Sequence, residues 1–197
     1  MIQINFSIDD TGEFQTGELS TGAVRIKTPR TTDEMMKKAS PIAVLSCFFM
    51  TAAMFIKTVS AREVVFSPVS LIAGFLLGFC LIFVHELLHA AVYPEEAIVT
   101  VGKLKGKLTF VALASYPLKR SRFIIMCLVP FILGLIPLAV FIISPAEFRV
   151  LNGLMFGAAC IGMVSPFPDV YNVITVLRSA EKNDKIMFYK DEMYKVR

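Results

Sequence analysis

Four stretches of this chain are long enough and apolar enough to cross a lipid bilayer. They run from about Ile42 to Val59, Pro68 to Tyr93, Phe123 to Ile143 and Pro145 to Val164. A hydrocarbon core about 30 Å thick is crossed by about 20 helical residues. Backbone amides and carbonyls must bond to one another there, so each stretch reads as a helix. A mean hydropathy of +0.66 points the same way, being too high for an ordinary soluble domain. The expected fold is an all-α integral membrane protein with about four transmembrane helices and a small β-hairpin-like cytosolic loop.

Proline and turn chemistry set the boundaries. Ser40-Pro41 offers a cap and a first-turn proline for the first span, and Pro94 stops the second. Pro130 and Pro137 predict kinks in the third. Ser165-Pro166-Phe167-Pro168-Asp169 breaks the fourth, and helix resumes over 169–181. Ahead of the first span, residues 1–40 are mostly polar, so no signal peptide is expected there. Ile2, Ile4, Phe6 and Ile8 alternate with polar residues as in a strand, and Asp9-Asp10-Thr11-Gly12 reads as the turn of a small hairpin. Thr31 to Lys38 starts a helix that leads into the membrane. Three parts follow: a polar segment 1–40, a four-helix membrane domain 41–181 and a charged tail 182–197.

The cations orient the spans. Residues 1–41 carry five Lys/Arg, 94–122 carry six and 169–197 carry six, against only Lys57, Arg62 and Arg149 elsewhere. Positive loops stay on the cytosolic side, so both termini are expected in the cytosol and the chain in the cell membrane. The charge forms no continuous basic face with aromatic platforms, which argues against nucleic acid as a partner. Cys47, Cys80, Cys127 and Cys160 fall in separate apolar runs without a CxxC pair, so they read as small buried apolar residues.

Within the second apolar run lies His85-Glu86-Leu87-Leu88-His89, which holds both histidines of the chain. Imidazoles at i and i+4 leave one side of a helix and can grip one metal ion. The glutamate between them is placed as a general base toward metal-bound water. Ionisable groups in hydrocarbon are costly and tend to be functional, which favours a metal site over chance. His85 precedes the cytosolic end of its span by about 12 Å of helix, so the site is expected within the membrane near that face. Asp169, where the fourth span returns to that depth, is the third-ligand candidate. Its bland alternative is a helix N-cap. Glu95 and Glu96 compete, but follow the motif too closely across Pro94. Asn172, one turn beyond Asp169, could bond the site or the substrate. Two imidazoles and a carboxylate form a catalytic Zn²⁺ set that leaves a position for water.

The loop Ala97 to Leu118 reads as a hairpin, with Val99 and Val101 on one arm, Leu108 to Val111 on the other, and Gly102 and Gly106 bracketing a basic turn. Its edge could pair with an extended substrate segment, or the loop could rest on anionic lipid.

These residues resemble the intramembrane zinc metalloproteases of the site-2 protease type. The closer resemblance is to the small family of membrane zincin peptidases known as DUF3267, over roughly residues 40 to 180. That family's HELxH motif, and the later Asp that opens a short helix, map onto His85, Glu86, His89 and Asp169, with Asn172 following. Val170-Tyr171 follows Asp169 where site-2 proteases usually carry glycine-rich sequence. The resemblance implies zinc held by His85, His89 and Asp169, Glu86 as the catalytic base, and a membrane-spanning or membrane-proximal peptide as substrate. Two other readings remain open. One is a non-catalytic membrane protein with a structural metal or a polar helix-packing cluster. The other is a metal or proton transporter, for which four spans with so few buried charges make a poor path. Oligomeric state and natural substrate are not readable from the sequence.

Overall fold

Thr31 caps the first long helix: its Oγ1 accepts the Glu34 amide at 3.2 Å, with Asp33 and Glu34 in the first turn and Lys38 paired to Glu34 at 2.8 Å. In the computed structural model, which describes residues 1–29 and 31–196, this helix α1 runs unbroken from Thr32 to Ala61. Two cations of the charge count, Arg30 and Arg197, lie outside the described residues. The polar run 31–38 thus leads into the span as expected. Ser40-Pro41 does not start it, and Pro41 lies inside the helix.

Helix α2 (Pro68–Val92) carries the histidine motif and ends just before Pro94. Strands β3 (Val99–Leu104) and β4 (Phe110–Ala114) follow as the expected hairpin. A short strand β5 (Leu118–Lys119) leads into α3 (Arg120–Leu128). Pro130 then sits in a 3-10 turn, Val129–Phe131, before α4 (Ile132–Ile143), which accommodates Pro137. Helix α5 (Arg149–Val164) begins four residues later than the expected Pro145. Helix α6 (Phe167–Ser179) resumes after the turn at Ser165-Pro166. Four helical stretches, Asp33–Ala61, Pro68–Val92, Arg120–Ile143 and Arg149–Ser179, are long and apolar enough to cross a membrane.

The chain is more than helices. Strand β1 (Ile2–Ile8) is real, but it does not turn back on itself as a hairpin. It pairs in parallel with β3, giving a three-stranded sheet of order β1-β3-β4. The charged tail forms β6 (Lys185–Tyr189) and β7 (Glu192–Val196), which join β2 (Val24–Arg25) and β5 in a second sheet of order β2-β7-β6-β5. The all-α expectation is corrected to helices plus two small sheets. Lysines and acids in the tail masked two strands that bury Ile186, Met187, Met193 and Val196 without a regular alternation.

Contacts divide the chain into two units. The first gathers Met1–Lys38, Glu86–Val129 and Pro168–Arg197, and so holds both sheets, α3 and α6. Its core packs Leu118, Phe123, Met126 and Cys127 with Val173, Val176, Ile186 and Met193. Gly102 is needed in β3 because an added Cβ would lie 1.7 Å from the Asn5 carbonyl oxygen.

The second unit holds Ala39–His85 and Pro130–Phe167. Met50, Val65, Phe141, Phe156 and Ala159 form its core. At Gly134 and Gly162 the backbones of α4 and α5 meet so closely that a Cβ on either would fall 2.5 Å from the other helix, a small-residue contact of the kind that lets membrane helices approach. Lys57 of α1 donates to the Phe141 and Ser144 carbonyls at the C-terminal end of α4 and to Asn152 Oδ1 at 2.8 Å. Asn152 is fully buried and donates in turn to the Pro145 carbonyl at 2.8 Å. A cation at carbonyls left over by a helix end is favourably placed.

Candidate metal centre

Helix α2 presents His85 and His89 one turn apart, and each is only 6% exposed. The His89 ring is held from its far side, where Nδ1 donates to the Met126 carbonyl at 2.8 Å. That carbonyl is available for a reason visible in the sequence. In an α-helix Met126 would accept the amide of residue 130, but residue 130 is proline and has no N–H. The amide of Val129 is already used by Ile125. A buried carbonyl without a helical donor needs another partner, and His89 supplies it.

The other ring nitrogen, Nε2, faces Asp169, whose Oδ1 is 3.4 Å away. Asp169 lies in the first turn of α6, two residues after its start, so it is a helical residue rather than the N-cap. An imidazole nitrogen facing a carboxylate in a buried place calls for positive charge between them, which either a proton on the ring or a metal ion supplies. His85 completes the set: one ligand atom each from His85, His89 and Asp169 lie within 4.8 Å of one another. Two imidazoles and a carboxylate suit zinc, and the bond from His89 Nδ1 to a backbone carbonyl is the outer support that metal-binding histidines usually have. The residues present therefore fit a metal ion.

Glu86 follows His85 on α2 and is half-buried, with His89 and Asp169 as its charged neighbours. Its carboxylate accepts the backbone amide of Ala112. The ladder explains why that amide is free to donate. The Leu104 amide bonds the Thr109 carbonyl at 2.9 Å, which sets Thr109, Val111 and Leu113 toward β3. Phe110, Ala112 and Ala114 then direct their backbone groups outward, along the edge of the sheet.

The other sequence candidates lie apart. Glu95 and Glu96 are exposed, Cys80 is exposed, and Cys127 is buried in the core of the first unit. None of them belongs to the metal-capable group found among the described residues. Asn172 is half-buried one turn beyond Asp169. Reading the sequence missed two backbone groups, the Met126 carbonyl and the Ala112 amide. The first had a signal in Pro130, four residues on; the second depends on which strand lies beside which.

A family model described as "putative zincin peptidase", DUF3267, matches residues 78–184, more than half of the chain. The chain belongs to the DUF3267 family. The match takes in the histidine motif, the β3–β4 hairpin, Pro130 and Asp169, so the whole candidate centre of this DUF3267 protein lies inside the shared region. No curated protein and no solved structure matches the chain.

Proposed function

We propose that this DUF3267 protein is a zinc-dependent peptidase embedded in the membrane, hydrolysing peptide bonds of membrane-spanning or membrane-proximal segments. The observation that carries the reading is the convergence of His85, His89 and Asp169 with Glu86 beside them. Zinc held by the three side chains would supply Lewis acidity toward a peptide carbonyl and a water molecule. Glu86 takes one proton from the attacking water as its oxygen bonds to the carbonyl carbon. When the carbon–nitrogen bond breaks, Glu86 returns the proton to the leaving amine. His89 is kept in the right tautomer by Met126. The outward edge of β4 gives an extended substrate backbone a strand to pair with, directly beside Glu86. A helical substrate must unwind first, since its carbonyls are otherwise bonded within the helix.

The membrane setting is supported by the four long apolar helices and by side chains such as Val44, Phe48 and Phe55, which α1 leaves more than 60% exposed. In water such surface is unfavourable; in lipid it is at home. A common side for the two termini and the middle loop is supported by strand pairing in the first unit. There β1 pairs with β3, β5 with β6, and β2 with β7. The positive-inside bias makes that side the cytosol. The resemblance to site-2 proteases supports the same chemistry.

The test is hydrolysis of a library of membrane-anchored peptides by purified, reconstituted protein, with the zinc content measured in parallel. Cleavage that needs zinc and is absent in Glu86→Gln supports the reading. Equal cleavage by a folded Glu86→Gln protein refutes it, and bound zinc without any cleavage assigns the site a structural role.

A further inference from the structure

The three-stranded sheet of the first unit carries a surface that the metal centre does not use. Strand β1 lies at its edge, and Ile2, Ile4 and Phe6 are 48%, 57% and 61% exposed. Ile2 and Ile4 alternate with Gln3 and Asn5, and after Asn5 the register to β3 shifts, so that Phe6 remains exposed while Ile8 is buried. Soluble proteins blunt such edges with charge, proline or shortness, but β1 is seven residues long and holds no charged residue. Its far end joins the tip of the β3–β4 hairpin, where the Lys105 amide donates to the Ile8 carbonyl at 2.9 Å and the Lys105 ammonium pairs with Asp9 at 2.9 Å. That tip carries Lys103, Lys105 and Lys107, followed by Leu108, which is 88% exposed. No acidic residue occurs between Ala97 and Leu118 to offset them.

We propose that β1 and the β3–β4 tip lie on the membrane itself, with Ile2, Ile4, Phe6 and Leu108 in the interfacial layer and Lys103 and Lys107 on anionic headgroups. An apolar row beside a basic cluster is the pattern of elements that lie in a bilayer surface. The chain permits it: β3 starts seven residues after the last residue of the α2 span, a tether of about 25 Å at most. A second copy adding a strand to β1 would satisfy the edge, but it would leave the lysines and Leu108 unexplained.

The chain has no tryptophan, so Phe6→Trp and Leu108→Trp each give a single fluorophore in the full-length protein. Each variant is reconstituted into vesicles of phosphatidylcholine, alone or mixed with phosphatidylglycerol, with and without brominated acyl chains. Ile56→Trp within α1 serves as the embedded reference. Blue-shifted emission that brominated lipid quenches in the anionic vesicles, and that reverts when Lys103→Glu and Lys107→Glu are added, is the expected result. Water-like emission untouched by brominated lipid at both positions, while Ile56→Trp is quenched, overturns the proposal. So does a blue shift that grows with protein density without such quenching, which would place a second copy on the edge. The two tryptophan positions are independent, so failure of one variant to fold leaves the other decisive. Neither readout depends on peptidase activity.

Discussion

At the scale of single residues, the proposed roles separate metal binding from proton transfer. His85→Ala and Asp169→Ala are each expected to lose the bound zinc by elemental analysis of folded protein. Glu86→Gln is expected to keep it while hydrolysis falls by about 10²–10⁴-fold, the usual contribution of a positioned acid–base group. Retention of zinc in Asp169→Ala would send the search for a third ligand elsewhere. Pro130 makes a less obvious prediction. Pro130→Ala restores an amide that competes with His89 for the Met126 carbonyl, so the imidazole loses its fixed orientation. Zinc affinity should drop by roughly 10–100-fold, as for other outer partners of ligating histidines. Unchanged affinity in a competition titration would show that the proline serves only the 3-10 turn Val129–Phe131.

At the scale of elements, β4 and α1 carry different burdens. Ala112 uses its amide on Glu86 rather than on β3, so proline there removes no rung of the β3–β4 ladder. Ala112→Pro should therefore retain fold and zinc but lose hydrolysis of extended substrates, as followed by circular dichroism, metal content and cleavage. Full activity would exclude the β4 edge as the substrate strand. In the second unit, Lys57 joins α1 to the turn between α4 and α5. Lys57→Met takes the ammonium from the Phe141 and Ser144 carbonyls and from Asn152 Oδ1, leaving one Ser144 hydroxyl proton to serve both Phe141 and Asn152, at an expected cost of about 1–3 kcal/mol. Thermal unfolding in detergent should show a lowered midpoint, and no change would mean that water replaces the ammonium.

For the whole molecule, the strand pairings demand one side for three distant segments. Cysteines introduced at Lys105→Cys and Lys182→Cys should react with a membrane-impermeant reagent from the same face of sealed vesicles. Glu147→Cys, in the α4–α5 turn, should react from the other. Opposite labelling of positions 105 and 182 would break the four-span arrangement. The helices themselves, the motif on α2 and the return of Asp169 were legible along the chain, because hydrophobic runs, prolines and histidine spacing are local signals. Strand β1 was legible as a strand, but its partner was not: parallel pairing with β3 joins residues almost a hundred positions apart, and nothing local records it. The tail misled for a related reason, since its strands gain their buried side only from β2, β5 and the core of the first unit. By itself, then, the sequence determined four apolar helices and a motif able to bind a metal, since both follow from hydropathy and helical periodicity. Only the tertiary structure decided that the polar segments form two sheets, that Met126 orients His89, and that the Ala112 amide meets Glu86. Those contacts depend on which distant backbone groups come to lie side by side, and backbone groups look alike in every sequence.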